Sequence, residues 1–160
     1  MVDKKSKEVY QVKIVVDTNI VFSAILNSTS RIAQILITSK NHFQFYSCIF
    51  LKTELIKHQN KLIKLTKLSS EELDELQELI SANITFIHEG LLPEKTIIAT
   101  EKLLKGIDIN DTPFVALTKN LKAKLWTGDK ELIKGLKNKK FKDIITTGEL
   151  LELLDKLEKI

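Results

Sequence analysis

Val12-Lys13-Ile14-Val15-Val16 is short, β-branched and nearly all apolar, the pattern of a strand buried on both faces in a parallel sheet. Asp17-Thr18-Asn19 ends it. Across residues 20–40 apolar positions include Ile32, Ile35 and Leu36, and the polar run Asn27-Ser28-Thr29-Ser30 splits the stretch into two predicted helices. Residues 43–47 read as a second strand, and Phe50, Leu51, Leu55, Leu62 and Leu65 predict a single helix over 49–65. Ser69-Ser70-Glu71-Glu72 opens a further helix with acids in its first turn, and Leu73, Leu76, Leu79 and Ile80 form its apolar stripe. Residues 84–87 predict a third strand, and 93–104 a helix stopped by Gly106.

The polar loop 106–113 ends in Pro113, which suits the first turn of a helix running through Phe114, Val115, Leu117 and Leu121. A strand at 124–127, a helix at 130–136 and a last strand at 143–146 follow. Thr147 reads as the cap of a final helix with Glu149 in its first turn and Leu150, Leu153, Leu154 and Leu157 along one stripe. Strands alternate with helices throughout. The expected fold is therefore α/β, a three-layer α/β/α sandwich on a mostly parallel central sheet.

Composition narrows the picture without redirecting it. A chain of 160 residues with 43% hydrophobic and 29% charged positions suits one globular domain. We expect a tail at 1–10 and a single domain over 11–160. Cys48 is alone, which excludes an internal disulfide and paired-cysteine zinc or redox motifs, and suits a reducing cytoplasm. A formal charge of +4 permits a polyanionic partner without requiring one. No apolar run approaches the ~20 residues of a bilayer span, and the charged start lacks the apolar core of a secretory signal, so no membrane role is expected.

In open parallel sheets ligands bind beyond the carboxyl ends of the strands. Asp17 and Asp129 each follow a predicted strand, Asp111 stands where a loop enters a helix, and Glu54 lies early on the helix after the second strand. Four carboxylates in one cleft repel one another, and a divalent cation removes that cost. Hard oxygen ligands select Mg²⁺ or Mn²⁺, which position a water and stabilise charge on a phosphoryl group. Each acid also has a plainer role, as a helix cap for Asp17, Asp111 and Asp129 and as a solvated helical charge for Glu54. His58 shares a face with Glu54 and reads as surface, His42 and His88 stand in no catalytic motif, and Trp126 reads as core.

The order of these segments carries a resemblance. The strand before Asp17-Thr18-Asn19, the stretch from Ser47 to Glu54-Leu55, Asp111-Thr112-Pro113-Phe114-Val115-Ala116-Leu117, and Leu125-Trp126-Thr127-Gly128-Asp129-Lys130-Glu131-Leu132 together resemble the PIN-domain nucleases over about residues 13–154. The resemblance implies an α/β/α sandwich and metal-dependent cleavage of RNA, often by the toxin of a toxin–antitoxin pair, with an antitoxin encoded beside it and homodimers common. It implies that Asp17, Glu54, Asp111 and Asp129 bind one or two Mg²⁺ or Mn²⁺ ions, while Asn19 and Thr127 hydrogen-bond the cluster. Asp108 is an extra acid that serves either as a partner of the ligands or as an alternative metal contact.

Lys13, Lys130, Lys134 and the run Lys137-Asn138-Lys139-Lys140 are candidates to steer an RNA backbone, and the run also reads as a solvated loop. Helices within residues 20–65 offer a candidate apolar surface for a dimer. Two other enzyme classes place an Asp after the first strand. A haloacid-dehalogenase-type phosphatase needs a general acid two residues on, where Asn19 has no proton to give. A receiver domain wants an acidic pair there, and only Asp17 is present. The remaining alternative is a binding protein that keeps the fold without turnover.

Overall fold

The computed structural model describes residues 11–159, so the expected tail at 1–10 lies outside the described residues. The chain runs β1 (Val12–Val16), α1 (Thr18–Leu26), α2 (Arg31–Thr38), β2 (Phe43–Cys48), α3 (Phe50–Lys57), α4 (Gln59–Thr66), α5 (Ser70–Ser81) and β3 (Ile84–Ile87). It continues through α6 (Glu94–Leu104), α7 (Thr112–Leu121), β4 (Lys124–Trp126), α8 (Lys130–Asn138), β5 (Ile144–Ile145) and α9 (Thr147–Glu158). The five strands are all parallel in the order β3-β2-β1-β4-β5. The α/β sandwich expected from the alternation is the one observed.

Topology follows from handedness. Successive steps from β1 to β2 to β3 move one way across the sheet, whereas the steps to β4 and β5 lie on the other side of β1. Right-handed crossovers therefore set α1 to α5 against one face and α6 to α8 against the other. The contacts agree: α1 packs on α2, α4 and α5, and α6 packs on α7 and α8. The reversal between β1 and β4 opens a crevice beyond their carboxyl ends.

The central strand earns its place by composition. Ile14, Val15 and Val16 are fully buried, because a strand covered on both faces has no position for a polar side chain. Trp126 of β4 is completely buried, its ring centroid 6.2 Å from that of Phe45, as core and not as an exposed stacking surface.

Three expectations are corrected. The single helix over 49–65 is two helices, α3 and α4, parted at His58, whose φ of −103° and ψ of 14° leave the helical range. The His58 ring there meets Phe22 edge to face with centroids 5.6 Å apart, and α4 turns to pack on α1. The stripe of α5 uses Leu73, Leu76 and Ile80, while Leu79 is exposed. The cap of α9 is Thr146, one residue earlier than Thr147, and it forms a reciprocal capping box with Glu149. Thr147 instead accepts a hydrogen bond from the Trp126 indole N–H at 3.0 Å.

Candidate active site

Asp17 is delivered to the rim by β1. Its backbone N–H donates to the Trp126 carbonyl at 3.2 Å, so the end of β1 is tied to the end of β4. The side chain is buried and occupies the cap position of α1 but makes no cap hydrogen bond. Its Oδ2 accepts from the Thr127 hydroxyl at 2.7 Å, and that hydroxyl oxygen accepts from the Asp129 N–H at 3.1 Å. One threonine thus connects the Asp17 carboxylate to the backbone of Asp129, just beyond the ends of neighbouring strands. Burial raises the Asp17 pKa to about 6, against the opposing hydrogen bond from Thr127, and the charges of Asp129 and Glu54 add to the rise.

Glu54 is turned toward α1 by the residue next to Asp17. The Thr18 hydroxyl donates to Glu54 Oε1 at 2.6 Å. Thr18 is the partner that the sequence reading passed over in favour of Asn19, which lies exposed in the first turn of α1. A signal was available. In a helix that starts at Thr18, successive side chains are about 100° apart, so Thr18 and Asn19 cannot face the same neighbour.

Asp111 stands at the mouth of α7, where a 3-10 turn at Ile109–Asp111 hands the chain to the helix. Its side chain forms no cap either. Oδ2 is buried and has no hydrogen-bond partner. Burial, then the charges of Asp17, Asp108, Asp129 and Glu54, lift the Asp111 pKa to about 7. The charges of Asp17, Glu54 and Asp129 thus reach Asp111 from three other segments of the chain.

Asp129 takes the helix-cap role. Its Oδ1 caps α8, accepting from the Glu131 and Leu132 N–H groups at 3.0 and 3.1 Å. Asp108 is exposed and accepts from the Asn110 N–H at 2.9 Å, which shapes the turn ahead of Asp111. The lysines divide. Lys130 and Lys134 lie on α8, exposed, beyond Asp129. Lys13 lies four residues before Asp17 on β1, roughly 13 Å back along the strand toward the opposite rim. Lys139, from the basic run, donates to the Leu103 and Lys105 carbonyls at 2.6 Å each and fastens the end of α6.

The donor set is hard oxygen throughout, with no Cys or His contributing. Burial pushes the Cys48 thiol up to about 12, and the thiol is therefore inert. Among the described residues no group of three or more acidic, His or Cys side chains is placed to hold a metal ion. The arrangement fits an ion that keeps several waters and takes only one or two carboxylates directly. The unpartnered Asp111 oxygen and the two raised pKa values are the observations that favour a cation here. Each marks negative charge held where the protein itself provides no neutralising group.

A parallel α/β sheet with carboxylates gathered near its topological switch point is a scaffold with a candidate site at the strand ends. The model of the PIN domain matches residues 15–150, and the chain belongs to that family of nucleases. Among solved structures, a chain of VapBC2 from Rickettsia felis, crystallised bound to a DNA fragment from their promoter, shares the fold with a TM-score of 0.63 at 15% identity. The match covers 84% of this chain and 97% of that one. No protein of curated function matches the sequence.

Proposed function

We propose that this rim is the active site of a Mg²⁺- or Mn²⁺-dependent endoribonuclease, and that the chain is the toxin of a toxin–antitoxin pair. The observation that supports this reading is the buried Asp111 oxygen with no partner, whose carboxyl is pushed up to about 7 by burial and by the charges of neighbouring acids. Asp17, Glu54 and Asp111 would hold the principal ion, one or two of them directly and the rest through its waters, and Asp129 would orient the attacking water or help hold a second ion. Bound there, such an ion would supply charge neutralisation, a water of lowered pKa and stabilisation of charge on the phosphoryl group.

The chain's own residues do the placing. Thr127 orients Asp17, Thr18 orients Glu54, and the cap bonds of Asp129 fix that carboxylate at the head of α8. Asp108 shapes the turn that presents Asp111. Lys130 and Lys134 attract the substrate backbone to the α8 side of the rim. Cleavage would leave a 5′-phosphate and a 3′-hydroxyl, as the family resemblance implies.

Membership of the PIN family and the fold shared with the VapBC2 chain support the toxin assignment and a protein antitoxin as partner. Self-association, if it uses the helices within 20–65, must draw on Leu26, Ile56 and Leu65, which are exposed there. Among the described residues no single helix is long and apolar enough to cross a membrane, and the site we propose is a cytoplasmic one.

The test is end-labelled RNA incubated with the purified chain. Cleavage with Mn²⁺ or Mg²⁺, its loss in EDTA, and its loss in Asp17→Asn are expected. Cleavage at the parent rate by Asp17→Asn rules the assignment out.

A further inference from the structure

Beside the acid rim, a cleft of about 250 Å³ runs between α8 and the turn that follows α6, lined by Gly106, Ile107, Glu131, Lys134, Gly135 and Asn138. We propose that this cleft is a subsite for one nucleotide of a single-stranded RNA adjoining the cleaved bond. Lys134 would take a phosphate, Ile107 the face of the base, and Glu131 with Asn138 its polar edge. The proposal rests on the nuclease reading and adds where the strand lies and which bases it favours.

Size and position come first. The volume falls below the ≈ 300–1,000 Å³ of sites for whole drug-sized ligands or cofactors, and suits one heterocycle. Helix α8 begins directly after Asp129 and rises about 1.5 Å per residue, so Lys134 stands roughly 7.5 Å beyond that acid. On the other wall Ile107 precedes Asp111 by four residues. A strand with its scissile phosphate at the rim therefore meets the cleft with a neighbouring nucleotide.

The cleft is also preformed. Gly135 interrupts α8 with a residue poorly suited to a helix interior. A Cβ there would lie 2.7 Å from both Cγ1 and Cδ1 of Ile107. The glycine thus lets Ile107 seat directly on the helix. One turn later Lys139 donates to the Leu103 and Lys105 carbonyls, which pins the chain where it enters the same turn. Both walls are held by the protein itself, so a ligand meets a wall that is already ordered.

Charge gives the occupant. Lys130, Lys134 and Lys137 recur at i, i+4 and i+7 along one face of α8, leading away from the rim. Among the described residues neither Lys134 nor Glu131 is engaged in an ion pair. A polyanion repelled by the bare acids is thus drawn along their flank, and contact with phosphates makes the binding salt-dependent. Glu131 only accepts hydrogen bonds, and Asn138 both accepts and donates. That edge matches a base bearing an exocyclic amino group. Uracil, which has none, is the disfavoured base.

The experiment uses fluorescence anisotropy with short labelled oligoadenylate and oligouridylate on Asp111→Asn protein in EDTA, so that nothing is cut. We expect Lys134→Gln to weaken binding about 3- to 10-fold and to reduce the log K against log salt slope by about 0.7, the value for one phosphate contact on a single strand. Lys64→Gln, exposed on α4 across the sheet from α8, leaves the slope unchanged. The double variant Glu131→Ala/Asn138→Ala loses the preference for oligoadenylate. An unaltered slope in Lys134→Gln, an unaltered base preference in the double variant, or no binding of either oligomer overturns the proposal. Parent cleavage is measured separately. Mn²⁺-dependent cleavage with an unaltered slope rejects the cleft and keeps the nuclease, whereas the slope and preference changes without cleavage keep the cleft and reject the nuclease.

Discussion

Two sets of carboxylates in this chain meet opposite fates. Glu72 and Glu149 sit in capping boxes, where Ser69 and Thr146 and their backbone N–H groups hold each carboxyl below its usual pKa. Asp17 and Asp111 stand at helix starts too, yet neither forms a cap bond, and their pKa values rise to about 6 and about 7. The first pair stabilises the fold as ionised groups. The second pair opposes it, since burial and neighbouring acids disfavour the charge each must carry at neutral pH. Helix-start geometry alone cannot separate these cases. What separates them is whether the local chain supplies a donor.

The largest expected effect breaks the second set. Asp111→Asn should lower metal-dependent cleavage by roughly 100-fold or more, the scale on which one element of a charge-stabilising site is felt. The same variant should melt higher than the parent in EDTA at pH 8, because an amide needs no counter-charge. Loss of activity with a gain in metal-free stability distinguishes a functional acid from a structural one. Equal melting temperatures with cleavage lost would leave the electrostatic strain unsupported.

Metal should erase the same strain. Mn²⁺ at about 100 times its dissociation constant stabilises a protein that binds it only when folded by about 2.7 kcal/mol. For a chain of this size that is a rise of roughly 5–10 °C in Tm. Differential scanning fluorimetry across a Mn²⁺ series reads it, and no shift would favour a binding protein without turnover.

The pH dependence of the metal-free chain has a fixed sign. With folded pKa values raised from 3.8 to about 6 and about 7, the native state binds more protons than the unfolded state between about pH 4 and pH 7. These groups therefore favour folding most at the acidic end, and that advantage is lost as pH rises through the window. Asp111→Asn should flatten the upper part of the slope in urea titrations, and saturating Mn²⁺ should reverse its direction.

Thr18 sharpens the comparison at the level of a single hydroxyl. Thr18→Val removes the donor to Glu54 and should weaken Mn²⁺ binding about 10-fold or more, as loss of a partner behind a metal ligand does. Thr18→Ser should restore it, and Asn19→Ala should change it less than Thr18→Val. Isothermal titration calorimetry with Mn²⁺ decides between them.

Much of this arrangement was legible before the structure. Val12–Val16 reads directly as a buried parallel strand because burial on both faces leaves no room for polar positions. Asp17 and Asp129 read as rim candidates because the alternation of elements fixes which strand ends they follow, and Asp111 because a loop enters a helix there. Side-chain partners were not legible. Thr18 and Asn19 are adjacent in sequence, and the direction of α1 decides which of them meets Glu54. The break at His58 was hidden because Leu55 and Leu62 keep helical spacing across it, so periodicity cannot see a change of axis. Lys139 read as part of a solvated basic run, yet its ammonium closes α6 from 34 residues away, a contact no local pattern encodes. Thr146 and Thr147 are the same residue type side by side, and only the backbone tells which is the cap.

The smallest expected effect tests the first set of carboxylates. Ser69 accepts from the Glu72 N–H at 3.1 Å while Glu72 Oε1 accepts from the Ser69 N–H at 3.1 Å, so each satisfies a donor that α5 would otherwise leave unpaired. Ser69→Ala should cost about 1 kcal/mol of stability, since one cap bond is lost and Glu72 loses the partner that held it in place. Helix α5 packs on α1 and α2 across the sheet face from α8, and the proposed ligands lie at the strand ends. The variant should therefore keep the parent's cleavage rate and Mn²⁺ affinity at 25 °C. If Ser69→Ala instead lowers Mn²⁺ affinity, caps and rim acids are coupled through α1, and the division drawn between the two sets does not hold.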